Sequence, residues 1–217
     1  MAAQLAIALG KFRAEEELKQ SHDRLEITVQ ERTEELQKAN RALMVLTECD
    51  EALLRATTEM DLLNQICNLM VKIDNVSMVW VGFAEQDEGK TVRPVTQSGG
   101  DKEYLKKASV SWADTPRGNG PVGRSIRTRQ VVQCWNIATD PCFEPWREDA
   151  MQRGYAAMIA LPLLWKEQCL GSLGIYSSQA GGFNEEATEL LMRLAGDLTF
   201  GIIALRARAA HEKLQRE

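Results

Sequence analysis

Three sets of residues in the 217-residue chain have types and spacings that could do chemistry. The first is Gly118-Asn-Gly-Pro-Val-Gly123, which satisfies GxGxxG, with Asp140 about twenty residues on, as in a dinucleotide-binding turn. Only about seven residues, 122–128, have room to be helical before the next strand, whereas a parallel crossover needs a dozen or more. The run therefore reads as a turn feeding a short helix. A weaker functional reading survives, in which that helix's free amides, with Arg124 nearby, face an anionic group on a ligand. The second set is Cys49, Cys67, Cys134, Cys142 and Cys169, odd in number and dispersed. No CxxC pair occurs, so neither a disulfide framework nor a zinc site is signalled, and a reducing cytoplasm fits. The third set is titratable. His22 and His211, the only histidines, lie on the terminal helices, which form no concave site for catalysis or for a haem ligand. Asp140, Glu144, Glu148 and Asp149 follow a proline-flanked loop into a helix, where a solvated face and N-terminal charge account for them. No catalytic residue, metal site or cofactor is expected.

Composition agrees with that restraint. A net charge of −5 offers no global attraction to nucleic acid or to an anionic membrane. The longest uncharged apolar run is about half of a spanning helix, so no membrane segment is expected. The N-terminus also lacks a signal-peptide pattern.

The element that must organise the rest is 154–177, GYAAMIALPLLWKEQCLGSLGIYS. It reads as two apolar strands joined by the turn Lys166-Glu167-Gln168. Pro162 argues against a helix and places the first strand near an edge or at a bulge. A hairpin apolar on both faces needs a layer on each side, so helices must cover at least one.

The chain supplies helices at its ends. Leu18, Leu25, Ala39 and Leu46 keep a seven-residue spacing, with Arg32 filling the gap and Val29, Leu36 and Leu43 interleaved. These are a and d positions of a heptad repeat, and the seam would run roughly 40 Å. A homodimer through a two-chain coiled coil is expected, its seam formed by Leu18, Leu25, Val29, Leu36, Leu43 and Leu46. Upstream, Leu5, Leu9 and Phe12 form a stripe in another register, which implies a register break. Residues 2–14 also align without gaps against 195–207. Either two amphipathic helices are alike by chance, or 2–14 ends a preceding domain of the same kind and the chain is an excerpt of a tandem array.

In the middle, Thr58 with Asp61 starts a helix through Met70. Strands are expected at 77–84, 91–97, near 110–112 and at 131–137, with short helices around Tyr104 and at 147–153. Asn184 caps a last helix running to the end.

Residues 31–43, ERTEELQKANRAL, resemble the signalling helix that joins sensory and output domains in bacterial sensor proteins. Four further runs carry a second resemblance: GRSIRTRQVV from Gly123, NIATDPCF from Asn136, RGYAAMIALPL from Arg153 and GSLGIY from Gly171. Together they make the region from about 43 to 205 similar to a GAF domain, as in sensor histidine kinases and diguanylate cyclases or phosphodiesterases. The resemblance implies an α+β, PAS-related fold with a six-stranded antiparallel sheet, the end helices on one face and a ligand pocket on the other. The implied division is a coiled-coil linker at 1–46, a GAF domain at 47–205 and an outgoing helical linker at 206–217. No NKFDE motif of the cyclic-nucleotide members is present, and neither Cys134 nor Cys142 is followed by the histidine typical of a bilin attachment site.

What remains around the implied pocket is aromatic: Trp80, Trp112, Trp135, Phe143, Trp146, Tyr155 and Trp165. Core packing is the default for each. If a small molecule binds, the residues expected to touch it are Trp80, Trp112, Asn136, Asp140, Trp146 and Tyr155. The chain thus reads as a non-catalytic sensory module of a two-component or cyclic-dinucleotide type signal-transduction protein, covalently linked to an output domain outside this sequence. The alternatives are a structural dimerisation spacer with an empty pocket and, from another class, a methionine-sulfoxide reductase. The last needs a close set of reactive cysteines, which the dispersed spacing does not offer.

Overall fold

The computed structural model describes the backbone of residues 1–215, and the side chains except at 2–15, 17, 38, 42 and 102. The chain divides into two compact units, Met1–Leu43 and Met44–Glu217. No proline precedes Pro94, and Gly10 is the only glycine in the first eighty residues, so nothing interrupts helix α1 (Ala2–Arg55). Within the first unit that helix holds itself together by exposed local pairs, among them Arg32 to Glu35 and Gln30 to Glu34, each at 2.7 Å. Leu18, Leu25, Val29, Leu36 and Leu43 each leave more than half of their surface to solvent. The stripe Leu5, Leu9 and Phe12, and the echo at 2–14, fall on side chains outside the described residues.

The second unit is an antiparallel sheet with a layer on each face. Its strands are β1 (Val76–Ala84), β2 (Val92–Gly99), β3 (Val132–Cys134), β4 (Ala157–Trp165) and β5 (Gln168–Ser177), in the order β2-β1-β5-β4-β3. The β4–β5 hairpin forms as the apolar pattern requires, with Ile159 opposite Ile175 and Leu161 opposite Leu173. Its turn is Lys166-Glu167 alone, because Gln168 already pairs with Trp165. Pro162 sits where both of its expected constraints are met. β3 pairs only with Met158, Ile159 and Ala160, so Pro162 lies in the part of β4 beyond its reach, next to a bulge at Leu163/Leu164.

The sheet has five strands, not six. The expected strand at 110–112 makes one isolated bridge, Thr91 to Ser111. Its polar groups are turned onto the β1–β2 connection instead. Ser111 Oγ donates to Gly89 O at 2.8 Å and Trp112 N to Lys90 O at 2.8 Å, and Pro116 then opens a 3₁₀ turn. The expected strand at 131–137 shortens to three residues because the chain bends at Asn136. The carbonyl of Asn136 accepts from the N–H of Asp140 at 2.9 Å, and its side chain accepts from Ala138 N at 3.0 Å.

Alternation along the strands sends apolar side chains to both faces. Val79, Val81, Ile159, Leu161, Leu173 and Ile175 face one way. They are covered by the last turns of α1 (Val45, Cys49, Ala52), by α2 (Glu59–Met70) and by α6 (Glu185–Leu214). Both expected caps form: Thr58 Oγ1 accepts from Asp61 N at 3.2 Å, and Asn184 Oδ1 from Ala187 N at 2.8 Å. Leu46, read as a seam position, packs half-buried against this core. Met78, Trp80, Met158, Ala160 and Tyr176 face the other way, under α3 (Lys102–Ala108), α4 (Pro121–Thr128), α5 (Arg147–Gln152) and the loops between them. Among the described residues no helix is long and apolar enough to cross a membrane.

Leu161 is fully buried at the middle of the hairpin. Its truncation to alanine is expected to cost about 2–5 kcal/mol, read by urea denaturation followed by circular dichroism.

Candidate functional site

The face of the sheet away from the end helices is roofed by short pieces, and each is set by a local rule. Asp101 caps α3 by accepting from Glu103 N at 2.9 Å, and Asp140 opens the 3₁₀ turn Pro141–Trp146 by accepting from Cys142 N at 2.9 Å. The glycines of GxGxxG serve close packing. A Cβ on Gly123 would collide with the carbonyls of Gly118 and Ser111, and one on Gly120 would enter the Trp146 ring. Pro121, Val122 and Gly123 are buried, so the first turn of α4 faces protein rather than an open anion site.

Beneath this roof the side chains fill the space. Tyr104, Tyr155 and Tyr176 form a triad with centroids 4.8 to 5.8 Å apart, and Phe143 meets Trp146 at 5.7 Å and Tyr176 at 6.1 Å. Edge-to-face rings at these separations are mutually favourable. Tyr104 and Tyr176 share a hydrogen bond at 3.3 Å, Tyr155 Oη donates to Met78 Sδ at 3.5 Å, and Trp146 Nε1 donates to Ala108 O at 2.6 Å. Burial drives the Tyr176 and Tyr104 phenols well above their ordinary range, so both remain neutral and one hydroxyl donates to the other. Between Trp80, Val122, Trp146, Met158 and Tyr176 a cavity of about 20 Å³ is left, about enough for one water. Trp80 Nε1 is buried with no hydrogen-bond partner among the described residues.

Of the six residues expected around a ligand, Trp80, Trp146 and Tyr155 converge in this cluster. The other three do not join them there. Trp112 lines an open groove of about 840 Å³ near the β4–β5 turn, donating to Glu85 O at 2.9 Å with Lys90 over its ring. Three arginines of that groove are engaged: Arg127 with the carbonyls of Trp112, Ala113 and Gly118, Arg206 with Glu59, and Arg93 with Glu85. Asn136 and Asp140 use their side chains to shape the loop after β3. Core packing fails for Trp135, which is more than half exposed. Sequence reasoning missed Tyr104 and Tyr176 as members. The alternation of β5 was the signal for the second, since Tyr176 must oppose Ile175 and share the face of Trp80.

Two polar groupings edge the cluster. Arg153 binds Asp101 Oδ2 at 2.9 Å and Asp149 Oδ1 at 2.7 Å, and lies over the Tyr104 ring, so it ties α3 to α5. The Glu103 amide, then Arg153, hold the Asp101 carboxyl below the usual range. On the other side, the sulfurs of Cys134 and Cys142 and a carboxylate oxygen of Asp140 all lie within 4.8 Å of one another. These two cysteines, read as dispersed, are therefore neighbours in space. Burial works against the Asp140 charge, yet hydrogen bonds from Cys142 and Cys134 hold the carboxyl below its usual range. The Cys142 thiol is pushed up, first by its hydrogen bond with Cys134, then by burial and Asp140. Cys49 and Cys67, in the helical core, are each pushed up to about 12, mainly by burial.

The sequence profile of the GAF domain matches residues 56–202. Among solved structures, the GAF domain of a phosphoenolpyruvate-protein phosphotransferase from Coxiella burnetii superposes with a TM-score of 0.63 at 17% identity, covering 80% of this chain and 98% of that one. A free methionine-R-sulfoxide reductase from Neisseria meningitidis, in complex with its substrate, gives 0.62 at 16% identity, over 76% and 89%. A domain described as that of a two-component sensor histidine kinase from Sinorhizobium meliloti 1021 gives 0.53 at 18%, over 67% and 92%. At these identities the likeness is one of fold. None of the curated protein sequences compared with the chain matches it.

The Arg153 tie has a testable pH signature. A carboxyl held below its unfolded value contributes stability that is present above the ordinary carboxylate range and lost as pH falls through the depressed value. Asp101→Asn is therefore expected to be less stable than the wild type at neutral pH, with the difference vanishing in acid. Urea denaturation across that pH range checks it.

Proposed function

The chain belongs to the GAF domain family, and from that membership we propose that it is a regulatory relay module of a signal-transduction protein. In this reading, two chains pair through α1 and pass a change in helix packing to an output domain beyond this sequence. The observation that carries the reading is the division of labour along α1. Leu18, Leu25, Val29, Leu36 and Leu43, at heptad spacing, stay exposed, while Val45, Cys49 and Ala52 on the last turns are buried in the sheet's core. A row of solvent-facing leucines at that period is what a partner helix would cover.

The aromatic face supports a signal that arrives through the helices more than one that arrives as a ligand. Its own side chains leave about 20 Å³, so a small molecule would have to displace Trp146 or the tyrosine triad. A ligand shifts such an equilibrium only by its differential affinity for the open and closed roofs. The same filling argues against turnover of free methionine sulfoxide. Five free thiols suit a reducing cytoplasm.

Sedimentation equilibrium of the chain and of Leu25→Lys/Leu36→Lys tests the relay. The wild type is expected as a dimer and the double variant as a monomer with an unchanged sheet signal by circular dichroism. A wild type that sediments as one chain at every concentration would leave the relay without its seam.

A further inference from the structure

The thiol and carboxylate cluster beside the aromatic face has no part in the relay. We propose that Cys134, Asp140 and Cys142 bind a thiophilic divalent metal ion of the zinc class, with a fourth position open to solvent.

The three ligand atoms come from separate local structures that the fold holds together. Cys134 ends β3 and is 1% exposed, so its position is set by the sheet. Asp140 and Cys142 lie half-buried at the start of the 3₁₀ turn. Their mutual separations are all within 4.8 Å. In a tetrahedral zinc site with Zn–S of about 2.3 Å, two thiolates stand ~3.8 Å apart, so ligation brings the two sulfurs together by at most ~1 Å.

The loop is built to hold this arrangement. One oxygen of Asp140 accepts from Cys142 N, which aims the carboxylate. Arg147 clamps the loop from behind, donating to Ile137 O at 3.1 Å and Asp140 O at 2.8 Å. Asn136 O accepts from Asp140 N. Preorganisation of this kind is what outer-shell contacts supply to metal ligands.

Donor chemistry selects the ion. Two sulfurs disfavour magnesium and calcium, which take oxygen ligands, and favour zinc or a comparably soft cation. Binding exchanges two thiol protons for the metal, and both protons leave to solvent. The resulting set of two thiolates, one carboxylate and a dication carries one net negative charge, with Arg124 acting on Asp140 from α4. Three protein ligands leave room for a water or a small ligand in the fourth position.

Cobalt(II) is the probe, added anaerobically to the full chain reduced with a phosphine. One equivalent per chain is expected to give thiolate charge-transfer absorption and the visible bands of tetrahedral cobalt, both abolished by one equivalent of zinc. Cys142→Ser is expected to remove the charge-transfer band, and Asp140→Asn to weaken binding by at least ~10-fold, the lower range for losing even an outer-shell partner. Cys169→Ser is expected to keep the spectrum. Cys142 and Asp140 are half-buried, so their variants are expected to fold, which circular dichroism checks. No charge-transfer band in the reduced wild type overturns the proposal, and so does a band that survives Cys142→Ser or disappears with Cys169→Ser.

Discussion

A sheet whose central strands are apolar on both faces cannot stand in water on either side. Val79 and Trp80 on β1, and Ile159 and Met158 on β4, point in opposite directions, and all four are buried. At roughly 1.5–3 kcal/mol for each large side chain taken from water, leaving either face bare would exceed the whole stability of a domain. Everything else in the second unit answers that requirement. The glycines of β5 belong to the same solution. A Cβ on Gly171 would strike the backbone of Gly82, and one on Gly174 would strike the Trp80 indole. Close strand approach and a large aromatic floor are possible because those two positions carry no side chain.

The two faces are closed by different means, and the difference bears on function. One is covered by long helices that satisfy their own backbone. The other is covered by fragments of three to eight residues, whose carbonyls have few ladder partners. Arginines take over that task. Arg127 donates to three carbonyls and Arg147 to two, while Arg153 joins two carboxylates and covers a ring. The guanidinium suits this role because its planar fork carries five donors and never loses its charge. The hydrogen bonds of these half-exposed pins are more open to water than those inside a helical layer, and such bonds open at lower cost.

Much of the fold was legible because it follows from local rules. The hairpin, the caps at Thr58 and Asn184, and the uninterrupted α1 are consequences of periodicity, side-chain oxygens and the absence of proline. The helix after the GxGxxG run is short, Pro121–Thr128, as the spacing required. The misses share one cause. The strands at 110–112 and 131–137 have strand-like composition, but Ser111 and Asn136 bond to the nearby backbone and end the ladder. Asn136 and Asp140 turn their side chains to backbone N–H groups two residues on, and Trp112 lines the groove near the β4–β5 turn instead of the aromatic cluster.

By itself the sequence determined the layered α+β class, the two-faced hairpin at its centre and the heptad row on α1, since each depends only on spacing along the chain. Tertiary structure decided that the aromatic residues fill the expected pocket rather than line it, because ring packing depends on Tyr104 and Tyr176 meeting from elements 72 residues apart. It also decided that two cysteines with no recognisable spacing lie close to each other and to Asp140. Their proximity comes from the bend at Asn136, a through-space consequence of one side chain that no count along the chain contains.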